Sequence, residues 1–200
     1  MQLTEIRIAG FGGQGVILAA MVIGKAASIF QNGYATLTQS FGPEARGGAS
    51  SAQVLISDSP ILYPYVTRPD ILVVMSQEAY HRSTPEMKER GLLLVEHDLV
   101  RVSSLPNGIR AYSVPATRLA EALGKRMVLN MVMVGFFAGI TGLVAPEALR
   151  DAVIDSVPGA YRDLNLRAFD KGLEYGISRL GSPGDAEPVA GSMKTLEGTG

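Results

Sequence analysis

The sequence predicts an α/β domain: a three-layer sandwich built on a mostly parallel, Rossmann-like sheet, with a helical C-terminal part. Three observations carry that expectation. Strand-like apolar runs and helical patterns alternate along residues 4–123, in the order β-α-β-β-β-α-β-β, and helices follow. Two of the runs, 70–75 and 91–96, are apolar almost throughout, as central parallel strands covered on both faces are. The loop Gly10-Phe11-Gly12-Gly13-Gln14-Gly15 joins the first strand to the first helix, where doubly wound sheets place such turns.

Each element has its own signal. Residues 4–10 read as a buried strand and 12–15 as a tight loop. Residues 16–31 read as a helix with Ala19, Ala20, Ile23, Ala26, Ala27 and Phe30 on one face, and Gly33 is its expected stop. Residues 34–40 form a short polar-aromatic strand, and 41–50 a loop rich in glycine with one proline. In 51–57, Ala52, Val54 and Ile56 alternate with polar residues, which predicts a strand. Residues 78–90 read as a polar helix that restarts at Thr84-Pro85-Glu86, with Thr84 as N-cap and Pro85 at the first helical position. A strand at 109–114 follows, and Pro115 opens a helix to about Leu123.

Residues 127–145 carry no charge, and Gly135 and Gly139 have G-x-x-x-G spacing, so the segment must be weighed as a membrane span. Asn130 and Thr141 interrupt it, and Gly142 with Pro146 ends it. The helical part is then about 14 residues, roughly 21 Å, against a bilayer core of about 30 Å. A helix buried on nearly all sides is the expectation. Helices at 146–157 and 161–179 complete the domain, taken as residues 1–180. Residues 181–200 lack any apolar period and are expected to form a flexible tail.

Composition excludes several function classes. The chain has 200 residues, 46% of them hydrophobic and only 18% charged. An ordinary soluble domain is about one quarter charged, so buried interfaces are expected. The net charge of −1 gives no electrostatic case for binding nucleic acid. There is no cysteine, so no disulfide, thiolate zinc site or iron–sulfur cluster can be built from this chain. His81 and His97 are the only histidines, which argues against a histidine metal site. No basic-then-apolar leader opens the sequence, and a cytoplasmic location off the membrane is expected.

The glycine loop offers an anion the unpaired N–H groups and the positive end of a helix. A dinucleotide site would also need an acidic residue about 20 positions on, and 34–39 has none before Glu44. Tight strand–helix packing, a different anion and a protein contact remain the open readings. From Ile8 to Pro43 the only charge is Lys25. Then comes Gly42-Pro43-Glu44-Ala45-Arg46-Gly47-Gly48, in which three glycines and a proline dictate backbone shape around a Glu/Arg pair. Arg46 is either a surface ion pair with Glu44 or a fixed cation pointing into a site.

Taken together, 10–16, Gln39 to Ser50 and the strand through Ser57 resemble the gamma subunit of the 2-oxoacid:ferredoxin oxidoreductases. The segments 130–135 and 142–144 are similar to that family too, and the likeness spans residues 3–178. It is nearest to stand-alone gamma subunits of the 2-oxoglutarate or 2-oxoisovalerate type, with 2-oxoglutarate as the expected substrate. The resemblance implies a non-autonomous subunit of an enzyme that converts a 2-oxoacid, coenzyme A and oxidised ferredoxin to acyl-CoA, CO2 and reduced ferredoxin. Thiamine diphosphate, magnesium and iron–sulfur clusters are then expected on partner subunits and none on this chain alone, with coenzyme A as a substrate. The partners implied are alpha and beta subunits, a ferredoxin-like delta where one exists, and ferredoxin through the complex. The sequence agrees with that division: it has no Gly-Asp-Gly followed by paired asparagines to hold a thiamine-bound metal. Arg46 is implied to act electrostatically at a subunit interface, on a substrate carboxylate or a coenzyme A phosphate. Gly12, Gly13, Gln14, Gly15 and Glu44 are implied to form an anion-binding or interface loop. The competing readings are an indolepyruvate:ferredoxin oxidoreductase subunit and a free-standing nucleotide-binding Rossmann-like protein.

Overall fold

The computed structural model describes residues 3–41, 48–103, 105–106 and 108–180. Six strands form one sheet in the order β2-β3-β1-β4-β5-β6: β1 Thr4–Phe11, β2 Tyr34–Phe41, β3 Ala49–Ser57, β4 Ile71–Val74, β5 Leu92–Glu96 and β6 Arg110–Val114. β1, β4, β5 and β6 are parallel, with Ile6 opposite Ile71, Ile71 opposite Leu92 and Leu92 opposite Arg110. β3 runs antiparallel between β1 and β2. β4 and all of β5 are buried, as the apolar runs predict.

The helices cover the two faces unequally. α1 (Val16–Lys25), α3 (Ala116–Ala122), α4 (Leu129–Thr141), α5 (Pro146–Ser156) and α6 (Arg162–Leu180) share one core with Ile6, Ile8, Val54, Val73 and Leu94. α2 (Gln77–Ser83) packs on the other face over Ala9, Leu72, Val74 and Leu93. The helical side is two deep. α4 is buried along nearly its whole length, with Met133, Val134 and Phe137 against Ile8 and Val73 of the sheet. On its far side α4 meets α6 glycine to glycine. A Cβ on Gly135 would lie 2.8 Å from Leu173 N, and one on Gly172 would lie 2.8 Å from Phe136 N. The G-x-x-x-G spacing is thus a close helix crossing inside the domain. No helix among the described residues is long and apolar enough to cross a membrane.

Several expected boundaries move. The polar helix ends at Ser83, not near residue 90, and Thr84–Glu86 is a single 3-10 turn. Ser76 is the N-cap of α2, accepting from Ala79 N at 3.2 Å, while the Thr84 hydroxyl bonds back to Tyr80 O at 2.7 Å. Met87 then turns extended and is buried, and that burial outweighs the helical propensity of residues 87–90. α1 continues as a π turn over Ala26–Phe30. The left-handed residue that ends it is Asn32 (φ 56°), not Gly33. Gly33 closes the turn through its N–H to Ala27 O at 2.9 Å. β2 and β3 run into the expected 41–50 loop, because Phe41 pairs with Ser50. Much of the uncharged stretch from Ile8 is core of this chain: Val16, Ala19, Ala20, Val22, Ile23, Ala26 and Ala27 are all buried. Its missing charge therefore reports internal packing more than an interface. Residues 181–200, expected to be a tail, lie outside the described residues.

Glu96 is fully buried at the end of β5, and both carboxylate oxygens are occupied. They accept Leu99 N at 2.6 Å and Thr117 N at 2.9 Å. The second bond caps α3, whose own N-cap residue is Pro115 and makes no side-chain cap. Glu96 is a structural carboxylate.

Candidate functional site

β1, β2 and β4 end, and β3 begins, at one end of the sheet. Phe11 lies opposite Ala49, and Phe41 opposite Ser50. The glycine loop sits there. Gly13 and Gly15 have φ of 93° and 73°, conformations that side chains rarely adopt. Gly12 N donates to Gly48 O at 2.8 Å. That bond pins the last residue of the Gly42–Gly48 segment to the glycine loop, so the two sequence motifs meet. Arg46 and Glu44 lie outside the described residues.

Gln14 has its amide committed within the chain. Its Oε1 accepts Phe11 N at 2.6 Å, and its Nε2 donates to Met75 O at 2.7 Å. The side chain thereby ties the end of β1 to the residue after β4. A Cβ on Gly10 would fall 2.5 Å from that Oε1, so Gly10 leaves the room Gln14 needs. Gly15 is the N-cap of α1 and offers no side-chain cap, and the first turn has no acidic residue. The first N–H groups of α1 consequently have no partner within the helix. Asn130, buried at the start of α4, donates from Nδ2 to Gly15 O at 3.3 Å and closes the other side of the turn. This arrangement can present backbone N–H groups to an anion, but it holds no charged side chain among its described residues.

Beside it, on the face that α2 leaves partly open, lies a cleft of 240 Å³. Arg7 forms its floor, with Ser50, Gln53, Ser76, Arg82 and Glu86 around it. Arg7 is 9% exposed; it pairs with Glu86 through Nη1, and its Nε has no hydrogen-bond partner. Arg82 is held by Glu78 at 3.3 Å. The two arginines and two glutamates of the cleft balance in charge, and the buried Arg7 Nε–H is left without a partner. The sequence reading passed over Arg7. Its signal was the odd-position pair Glu5 and Arg7 inside an apolar strand, which marks one face of β1 as polar.

A cluster held by thiolates does not fit this chain, which has no cysteine to ligate one. Among the described residues no group of three or more His, Asp or Glu side chains could hold a metal ion.

Comparison with known proteins places the fold. The pyruvate ferredoxin/flavodoxin oxidoreductase family model matches residues 5–175. The chain is 47% identical over 172 residues to the 2-oxoglutarate synthase subunit KorC of Methanocaldococcus jannaschii, covering 85% of this chain and 92% of that one. It is 51% identical over 176 residues to the KorC subunit of Methanothermobacter thermautotrophicus, covering 85% and 93%. A crystal structure of a keto/oxoacid ferredoxin oxidoreductase gamma subunit from Geobacter sulfurreducens superposes with a TM-score of 0.79 at 39% identity, covering 89% of this chain and 98% of that one. Longer relatives exist as well. The chain is 33% identical to the ketoisovalerate oxidoreductase subunit VorA of Methanothermobacter thermautotrophicus over 86% of this chain but only 36% of that protein. A β1–glycine loop–α1 turn pinned to the start of β3, on a sheet that superposes this closely, leaves one assignment: the chain belongs to the pyruvate ferredoxin/flavodoxin oxidoreductase family, as a subunit of the gamma kind.

Proposed function

We propose that this chain is the gamma subunit of a 2-oxoglutarate:ferredoxin oxidoreductase, and that it works only inside a complex with alpha and beta subunits. The carrying observation is near-full-length identity of 47–51% to two 2-oxoglutarate synthase subunits. Thiamine diphosphate and the iron–sulfur clusters then sit on partner chains, and the lack of any cysteine here supports this for the clusters. This chain supplies the glycine turn and the Gly42–Gly48 segment that it pins. Arg46 is the only cation that segment has in its sequence. It meets a carboxylate or phosphate of the substrates at a subunit boundary, where a charge-assisted pair is stronger than at an open surface.

Tagged wild-type chain produced in its native host is expected to carry two larger subunits through affinity purification and gel filtration. The complex should contain bound thiamine diphosphate and iron. The chain purified alone should contain neither and should not reduce ferredoxin with 2-oxoglutarate and coenzyme A. Turnover by the isolated chain would overturn the subunit reading.

A further inference from the structure

The end of the sheet opposite the glycine loop carries several exposed apolar side chains. β2 starts there at Tyr34, paired with Ser57 at the end of β3, and β1 starts there at Thr4, opposite Ile56. Between β3 and β4 the chain projects a finger, Ile61-Leu62-Tyr63-Pro64-Tyr65. Leu62 is 96% exposed, Tyr63 65% and Tyr65 56%. Leu3, Ile29 and Tyr34, at the starts of β1 and β2 and in the π turn before β2, are exposed too. The two ends of the sheet are about 25 Å apart, eight residues of β1 at roughly 3.3 Å each.

The finger is held in place. Glu5 Oε2 accepts Thr67 N at 2.9 Å and Arg68 N at 3.1 Å, and Asp70 Oδ2 accepts Glu5 N at 2.8 Å. Gln53 Oε1 accepts Val66 N at 3.1 Å, with Val66 buried beneath the finger. The rings of Tyr63 and Tyr65 meet edge to face at 5.5 Å between centroids. Pro60, Pro64 and Pro69 restrict the backbone further. Lys88 reaches both Glu5 (3.3 Å) and Asp70 (2.9 Å) at the base. An ordered apolar knob inside a polar rim has the anatomy of an interface anchor, with little ordering entropy left to lose on binding.

The sequence outside the described residues offers few apolar side chains to cover it. Residues 181–200 contain three large apolar side chains, Val189, Met193 and Leu196, scattered among Gly, Pro, Ser and charges. Residues 42–48 contain none. In the longer VorA relative this domain makes up 36% of the protein, so in that relative further chain is joined to it. We propose that the Leu62–Tyr65 finger docks into an apolar hollow on the separate large subunit that corresponds to that further chain. This rests on the subunit reading given above. The docked end is the one remote from the glycine loop, so this contact leaves the glycine-loop end for the substrate-bearing subunit boundary proposed above.

The test co-expresses tagged chain with that large subunit and measures their Kd by interferometry. Three variants are compared: Leu62→Asp, Tyr65→Ser and, as a charge control on the outer face of α6, Ile177→Asp. The expected result is a Kd raised at least 100-fold by Leu62→Asp and at least tenfold by Tyr65→Ser. Ile177→Asp should stay near wild type, and melting temperatures should be unchanged because the two finger side chains are exposed. Wild-type binding that Leu62→Asp alters less than threefold overturns the proposal and leaves the subunit reading intact. Equal loss in Ile177→Asp, or an isolated chain that dimerises through the finger, also overturns it. Failure of wild type to bind the large subunit at all overturns the subunit reading, and the proposal falls with it.

Discussion

Gly135→Ala is expected to lower the melting temperature by about 10 °C. Intrinsic helix propensity runs the other way and favours alanine over glycine by about 1 kcal/mol. The new methyl would lie 2.8 Å from Leu173 N and still closer to Phe169 O. Both are backbone atoms of α6, so no rotamer change can relieve the contact. α4 and α6 must separate, and that loosens the packing of the fully buried Phe136, Phe137 and Phe169. Overpacking of this kind costs about 3 kcal/mol or more. In a domain of this size each kcal/mol moves the midpoint by about 2–4 °C. Gly172→Ala should behave alike, because a Cβ there meets Val132 O and Phe136 N. Gly159 has nothing within 4 Å of its added Cβ, so Gly159→Ala should melt within about 2 °C of wild type. Thermal melts of the three variants decide the point. An unchanged Gly135→Ala would mean that the helices do not cross at these glycines.

Arg46→Ala is expected to reduce kcat/KM of the assembled enzyme by roughly 10- to 100-fold. The Gly42–Gly48 segment is anchored on both sides, by the Phe41–Ser50 pairing and by Gly12 N to Gly48 O at 2.8 Å. Between those anchors Pro43 fixes one φ, and the glycines admit turns closed to other residues. In sequence Arg46 lies between those anchors, and it is the residue proposed to meet the anion. A hydrogen bond from a charged donor to an anion contributes about 1.5–3 kcal/mol, and each 1.4 kcal/mol is tenfold in rate. Arg46→Lys should recover part of the loss, since lysine keeps the charge but not the planar fork. Steady-state kinetics in both 2-oxoglutarate and coenzyme A, on complexes of verified subunit content, read this out. Wild-type kinetics in Arg46→Ala would remove Arg46 from the chemistry, and failure to assemble would make it an interface residue.

The parts of the fold that the sequence displays are those set by side-chain period. Ile6 and Ile8, the apolar β4 and β5, and Ala19, Ala20, Ile23, Ala26 and Ala27 of the first helical stripe fall where their spacing puts them. Phe30, expected on the same face, is instead exposed, because the π turn rotates the chain after Lys25. The strand direction of β3 was not legible, because an alternating apolar pattern is the same in parallel and antiparallel pairs. The extension of α2 past Ser83 is expected from the polar composition of residues 78–90 and the restart read at Thr84-Pro85-Glu86. Burial of Met87 and a left-handed Arg90 override that local preference, and neither is visible in the sequence. In the site, the glycine loop and its position on β1 were evident from composition. The use of Gln14 as a clamp between β1 and β4 was not, since Met75 is 61 residues away. The small-residue spacing of α4 was visible, but its partner glycines on α6 gave it meaning only once the two helices were set side by side. The finger at residues 61–65 showed no helical or alternating period, so the sequence reading left it without a role.

The account turns on whether this chain belongs to an enzyme that oxidises 2-oxoglutarate. The most direct measurement is coenzyme A-dependent ferredoxin reduction by the native complex, with 2-oxoglutarate, pyruvate and 2-oxoisovalerate compared, in preparations with and without this chain. The account predicts that kcat/KM is highest for 2-oxoglutarate, by tenfold or more, and that activity is lost when the chain is left out and returns when it is added back. Equal rates without the chain, or a preference for either of the other 2-oxoacids, would contradict it.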